Sequence, residues 1–325
     1  MQLQPIIPFE PMITEQIPRG EQWIAQVKWD GVRVLTYFDG QEVRLFNRKR
    51  NERTMQFPEF VEIKRYLKAS SVILDGEIIA LHNGKPSFHE VMRRDGIRKP
   101  ENVEKARKET PVTYMLFDVV YYNGVWVKDQ SLQKRQEILM DIITPQENVQ
   151  LVENFADGES LFTAIKANGM EGIVCKDLNS TYAINGKDGR WQKVKNYRDL
   201  IAVVGGVTLR DGVVNALLLG LYDHKGQLWY IGHAGTGKLT HTEWRNLTAI
   251  IKPLAVKQSP FINQPQRMKE AVWLKPKITL RIKFTEWTKG RVLRQPSIQA
   301  FVDVSPEECM FLQTNSFTQA ISYGF

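Results

Sequence analysis

The sequence predicts two domains in series: an α+β domain built on antiparallel sheet over 1–197, then an all-β barrel over 198–325. Three observations lead there. At 325 residues the chain is longer than one small core organises. Its first part reads as β-branched and aromatic strands with few helices between them and no repeated βαβ unit, which points to antiparallel rather than doubly wound sheet. Past Lys195-Asn196-Tyr197-Arg198-Asp199 the pattern becomes short apolar strands divided by glycine turns, as in a Greek-key barrel of roughly 110 to 125 residues.

In the first domain the expected strands are 23–27, 32–38, 43–47, 71–81, 112–122, 172–176 and 190–194, bounded by Gly, Asn or Asp. Three helices are signalled. Pro58 suits the first turn of a helix over 59–67. Ser131 can cap a helix whose apolar face carries Leu132, Ile138, Leu139 and Ile142, and Asp157 can cap a helix that ends at Gly169. In the second domain, strands are expected at 200–204, 216–222, 228–232 and 278–284, with a helix at 242–251.

A composition of 42% hydrophobic and 25% charged residues is that of a folded protein. No run of some 18 apolar residues is present, and the first eleven residues lack a basic segment followed by an apolar one, which argues against a membrane span or signal peptide and for a cytoplasmic protein. Cys175 and Cys309 form neither a metal motif nor a disulfide framework and are expected to be small buried residues. The net charge of +8 is uneven: residues 1–199 hold 29 Lys+Arg against 28 Asp+Glu, whereas 200–325 hold 15 against 8. Within 252–294 there are 11 cations, with only Glu270 and Glu286 opposing them and Trp273, Phe284 and Trp287 interleaved. Such a stripe suits a polyanion, because Lys and Arg release counterions from phosphates; ordinary solubility is the alternative.

Chemistry concentrates around Val27-Lys28-Trp29-Asp30-Gly31-Val32-Arg33, a tight link between two strands. A lysine becomes a useful nucleophile where cations or burial favour its neutral form, and Arg33 is a candidate neighbour. Further charges sit inside or at the ends of apolar strands: Asp75-Gly76-Glu77, Asp118 after Phe117, Glu171-Gly172, and Lys193 and Lys195 on one face after Trp191. Charge is costly there unless a site uses it. Together they describe a pocket with a nucleophilic lysine, carboxylates able to hold Mg²⁺, cations for phosphates and an aromatic face for a base. Asp30 either orients Lys28 or pairs with Arg33. Asp75 and Asp118 read more readily as structural, and His89 as a helix surface residue.

The order Lys28-x-Asp30-Gly31-x-Arg33, Arg48, Asp75-Gly76-Glu77, Phe117-Asp118, Glu171-Gly172-Ile173-Val174-x-Lys176 and Trp191-x-Lys193-x-Lys195 resembles the successive motifs of covalent nucleotidyltransferases, specifically ATP-dependent DNA ligases. Further on, Gly232-His233-Ala234-Gly235-Thr236-Gly237, Phe284-Thr285-Glu286-Trp287 and Arg294-Gln295-Pro296-Ser297 are similar to the oligonucleotide-binding domain of bacterial end-joining ligases. The resemblance implies a nucleotidyltransferase (adenylation) domain followed by an OB-fold. It implies ATP as adenylate donor, Mg²⁺ or Mn²⁺, nicked double-stranded DNA as substrate and a role in DNA repair or recombination. It also implies a monomer in the bacterial cytoplasm, associated with the nucleoid, with a Ku-like end-binding protein as a partner.

By the same resemblance, Lys28 accepts AMP with Asp30 beside it, and Lys193 and Lys195 hold the α-phosphate. Arg33 and Arg48 contact ribose or the nick phosphate, Glu77 the ribose or a metal, and Glu171 a metal. Phe117 stacks on adenine, and Gln26, Val27, Lys176 and Arg294 complete the nucleotide contacts. Two positions depart from the family. Gln26 stands where glutamate usually contacts the adenine amino group; its amide oxygen can still accept, so ATP preference is weakened rather than lost. The arginine expected shortly before Asp303 is missing, so either Arg294 or Arg291 orients pyrophosphate or self-adenylation is slow. An RNA ligase, an mRNA-capping guanylyltransferase and a catalytically dead nucleic-acid-binding module stay open as alternatives.

Overall fold

Alternation along the first part of the chain is realised as two sheets. The computed structural model describes residues 3–235, 237, 239–265, 271–288 and 290–311, so Thr236, Glu270 and three of the cations in 252–294 (Arg267, Lys269 and Lys289) lie outside the described residues. The chain divides into two compact units between Asn196 and Tyr197.

The first unit contains β1 (Glu10–Thr14), β2 (Trp23–Val27), β3 (Val32–Phe38), β4 (Val43–Asn47), β5 (Val72–His82), β6 (Lys85–Pro86), α1 (Phe88–Asp95), α2 (Val103–Glu109), β7 (Val112–Tyr122), β8 (Val125–Trp126), α3 (Leu132–Ile142), β9 (Val149–Leu151), α4 (Gly158–Ala167), β10 (Gly172–Asp177) and β11 (Lys187–Lys195). One sheet runs β4-β3-β5-β7-β8, with β6 on β5 and β9 on β7; the other runs β1-β11-β10-β2. Pairing is antiparallel except for β1 with β11 and β9 with β7, which are parallel, so the sheets are antiparallel in the main, as expected. Both exceptions come from segments too short to show a pattern in sequence.

Helices follow their caps. Ser131 Oγ accepts from Lys134 N and Asp157 accepts from the Glu159 and Ser160 amides, satisfying first-turn donors that have no partner within the helix. The helix expected over 59–67 does not form. Two 3₁₀ turns, Pro58–Phe60 and Ile63–Arg65, take its place. Phe57, Phe60, Ile63 and Tyr66 are all buried, and their spacing of three matches three residues per turn rather than 3.6. The helix α2 was invisible in sequence because Val103 is its one buried residue and it carries no apolar stripe.

Apolar residues form three layers in this unit. One, with Val34, Leu74, Ile78, Tyr114 and Leu116, covers one face of the larger sheet. A second, with Phe9, Leu35, Tyr37, Ile73, Tyr182 and Trp191, lies between the sheets, and a third packs Ala25, Ile173, Cys175 and Val194 against Leu161 and Ile165 of α4.

The second unit contains β12 (Arg198–Arg210), β13 (Val213–Tyr222), β14 (Leu228–Ala234), α5 (His241–Ile250), β15 (Ala255–Val256), β16 (Ala271–Phe284), β17 (Glu286–Trp287), β18 (Leu293–Arg294) and β19 (Ser297–Val302). Its order is β14-β13-β12-β16-β15 with β19 on β16, and a parallel bridge from Gly237 to Ile298 joins the end of β14 to β19. That connection closes a five-stranded OB-type barrel around Val203, Leu217, Leu219, Ile231, Leu280, Ile282 and Ile298. The strands β12 and β16 outrun the expected 200–204 and 278–284. Gly205-Gly206, which reads as a turn, is a bulge within β12, and Pro276 falls in the matching gap between Trp273 and Ile278. A capping box between Thr240 and Glu243 starts α5. Among the described residues no helix is long and apolar enough to cross a membrane, and both cysteines are free and buried.

Candidate active site

The site grows from the face of β1-β11-β10-β2 turned away from α4. Because side chains alternate, Gln26, Val174, Lys176, Trp191, Lys193 and Lys195 share this face, while Ala25, Ile173, Cys175 and Val194 occupy the other. Lys28 extends β2 by one step, its amide donating to Gly172 O at 2.9 Å. Two glycines allow this closeness. A Cβ on Gly31 would stand 2.2 Å from Ile78 O of β5, and one on Gly172 would stand 2.2 Å from Val194 O. The Lys28 turn is therefore pressed against the strand that carries Asp75 and Glu77.

Lys28 Nζ lies 2.7 Å from Glu171 Oε2, and Lys195 Nζ lies 3.4 Å from Glu171 Oε1, so one carboxylate serves two amines. Burial, with Lys28, Lys195 and Lys187 nearby, pushes the Lys193 ammonium below its usual pKa. Burial pushes the Glu77 carboxyl up to about 8, against the attraction of Lys28 and Arg33. No group of three or more His, Cys, Asp or Glu side chains able to hold a metal occurs among the described residues. Two carboxylates are too few for a closed protein cage; once Glu77 has released its proton, they fit a hard cation that keeps water and substrate phosphates as its remaining ligands.

Arg33 is held by partners of its own. Asp75 clamps its guanidinium at 2.6 and 2.9 Å, Phe9 O accepts from Nη1 at 2.7 Å, and Tyr182 OH also donates to Asp75 at 2.6 Å. Lys28 thus meets Glu171 and Arg33 meets Asp75. Deeper still, Asp118 and Arg135 form a bidentate pair with both side chains fully buried, fixing α3 to β7. This is a structural use of Asp118.

Phe117 rises between these charges, with the Arg33 guanidinium 5.3 Å from its ring centre and Trp191 edge-on at 6.1 Å. Lys176, expected among nucleotide contacts, points into the same aromatic corner. Its Nζ is 4.1 Å from the centre of Phe117 and 4.0 Å from that of Trp191, 2% exposed as a residue and without a hydrogen-bond partner. Burial pushes it down to about 7, opposed by Asp118 and Asp75.

Other candidates lie apart. Val27 is held in the ladder opposite Ile173. The exposed Arg48 is 3.7 Å from Glu10. In the second unit Arg294 pairs with Glu286 at 2.7 Å across β17 and β18, so a role on pyrophosphate would require it to leave that partner. His89 is exposed on α1. Sequence reasoning missed Tyr182, Arg135 and Asn154, the last of which accepts from Gln26 Nε2 at 2.7 Å. They belong to no recurring motif, and a buried arginine on a helix, whose charge must be answered, was the one available hint.

Comparison with known proteins gives the family. The family described as ATP dependent DNA ligase domain matches residues 9–195, and that described as ATP dependent DNA ligase C terminal region matches 210–303. A DNA ligase of Methanosphaera stadtmanae is 30% identical over 314 residues, covering 90% of this chain and 54% of the relative. The multifunctional non-homologous end joining protein LigD of Mycobacterium bovis is 29% identical over 287 residues, covering 86% of this chain and 36% of the relative. The crystal structure of the ligase domain from M. tuberculosis LigD is 27% identical with a TM-score of 0.51, covering 94% of this chain and 98% of that one. The chain thus spans about half of the first curated relative and about a third of the second.

Proposed function

We infer the reaction from family membership: this chain belongs to the ATP-dependent DNA ligases, and it seals nicks between a 3′-hydroxyl and a 5′-phosphate in duplex DNA. The observation that carries this reading is the 2.7 Å contact between Lys28 Nζ and Glu171, in a site flanked by Lys193 and Lys195. Attack needs the neutral amine, and Glu171 is within reach to take the proton. The Lys28 nitrogen then bonds to the α-phosphorus of ATP as the bond to the bridging oxygen breaks and pyrophosphate leaves. Lys193 and Lys195 hold the phosphate oxygens whose charge develops in that step. The nick 5′-phosphate next displaces Lys28 from AMP, and the 3′-hydroxyl finally displaces AMP to close the strand.

Phe117 carries the base, Gln26 reads its edge beside the Val27 backbone, and Arg33 and Arg48 serve ribose or the nick phosphate. Glu171 and Glu77 would hold Mg²⁺ or Mn²⁺, which would supply charge neutralisation at phosphorus. Resemblance to LigD, an end-joining protein, supports end-joining repair; a Ku-like partner and a cytoplasmic location belong to the same proposal.

The test is incubation with α-labelled ATP and Mg²⁺, then denaturing electrophoresis and peptide mapping, with nicked DNA in a parallel tube. Label on Lys28 that is discharged as the nick closes is expected, and Lys28→Ala should carry none. Labelling by GTP and not ATP, or no covalent label at all, overturns the reading.

A further inference from the structure

Gln26 lies two residues before Lys28 and is 2% exposed. Its Nε2 donates to Asn154 Oδ1 at 2.7 Å. Asn154 arrives because its neighbour Phe155 pairs with Ala25 through two backbone hydrogen bonds of 2.8 and 2.9 Å, adding one bridge to the edge of β2. Asn154 is tied in turn: its Nδ2 donates to Gln136 Oε1 at 2.8 Å, and its Oδ1 accepts from Gln136 Nε2 at 3.3 Å.

A primary amide has one donor end and one acceptor end. With Asn154 tied to Gln136 through both ends of its amide, its oxygen lies toward Gln26 and the Gln26 amide hydrogens turn outward to meet it. The end left over is Oε1, which accepts from no described residue and is not fully enclosed, so it keeps part of the little surface Gln26 exposes on the site face of the sheet.

We propose that Asn154 and Gln136 are positioning residues that set the base specificity of the nucleotide site, holding Gln26 with its acceptor toward the base so that a 6-aminopurine is taken and a 6-oxopurine refused. The inference rests on the nucleotidyl-transfer reading above. An amino group at position 6 donates to Oε1, whereas a carbonyl there sets two acceptors against each other and leaves both unpaired. Glutamate, the residue the family usually has at this position, accepts with either oxygen and needs no such guidance. Glutamine does, and the relay supplies it.

The test measures self-labelling with α-labelled ATP and GTP and takes the ratio of the two kcat/KM values. In Asn154→Ala the ratio should fall about tenfold, the worth of one oriented hydrogen bond. Asn154→Asp keeps an acceptor toward Gln26 and should keep the ratio. Asn154→Lys offers a donor instead, turns the amide over, and should lower the ratio further. The double variant Gln26→Glu with Asn154→Ala should recover preference for ATP. Asn154 is exposed, so these changes leave the core intact. Equal losses with both nucleotides, an unchanged ratio, or preference of the unaltered protein for GTP overturn the proposal. Absence of label from either nucleotide in the unaltered protein fails the transfer reading itself, and this inference with it.

Discussion

The two faces of β1-β11-β10-β2 are built from the same strands and differ in what their burial achieves. Under α4 the sheet presents Ala25, Ile173, Cys175 and Val194, which gain by leaving water and demand nothing further. One residue along each strand, the opposite face presents Gln26, Lys176, Lys193 and Lys195, groups that lose by leaving water unless something answers them. The answers differ in kind. Arg33 and Arg135 have bidentate carboxylates, Lys28 and Lys195 share Glu171, and Lys176 has only aromatic faces. The completeness of each answer separates groups that hold the fold from groups left available for chemistry.

That difference can be broken most severely at Asp75. Its side chain is fully buried against Arg33, so Asp75→Ala strands a buried guanidinium and should cost about 3–5 kcal/mol in urea unfolding. A midpoint within experimental error of the unaltered protein would mean that water reaches Arg33 and that the clamp is a surface pair. On the apolar face, Ile173→Ala should cost about 2–5 kcal/mol while leaving the rate of lysyl-adenylate formation by the folded protein unchanged. A fall in that rate would show that the α4 layer sets the geometry of Lys28.

The reverse pattern is expected at Lys195. Its replacement by Ala removes one charged donor from the developing phosphate and should lower adenylation about a hundredfold, with a smaller loss of stability than at Asp75 because Glu171 keeps Lys28 as its partner. A large loss of stability with little loss of rate would place Lys195 among the structural pairs.

The same contrast explains what was legible in the sequence. Strands β2, β3, β4 and β7 could be bounded to the residue, because alternation and flanking Gly, Asn or Asp are local signals. The chain segments carrying Lys28, Glu171, Lys193 and Lys195 could be gathered because charges inside apolar strands are conspicuous. Pairing could not. Nothing local in the sequence says that Arg33 reaches Asp75 across a sheet, that Tyr182 joins them from a loop, or that Asn154 orients Gln26. Those choices follow from register and from which strand edges meet, which long-range packing decides. The misread helix over 59–67 failed for a related reason: its apolar spacing of three fits a 3₁₀ turn, and the sheet it covers rewarded that spacing.

Lys176 gives the finest test, because it is the charged face's least answered group. Its pKa in the folded chain, about 7, lies below its ordinary value of 10.5, so between these values the unfolded chain binds more protons than the folded one. Stability contributed by this site therefore rises with pH from about 7 toward 10.5, with the penalty of burying the ammonium fully present below 7. Glu77 works in the opposite sense between 4.5 and about 8, since its folded value is raised and deprotonation destabilises the fold. Subtracting the pH profile of Lys176→Met from that of the unaltered protein removes the Glu77 contribution, which both share. The difference should be steady in acid and then climb by up to about 1.4 kcal/mol per pH unit above neutrality. A difference that stays flat to pH 10 would mean that Phe117 and Trp191 together stabilise the ammonium as well as water does, which would make the aromatic corner a cation site in its own right.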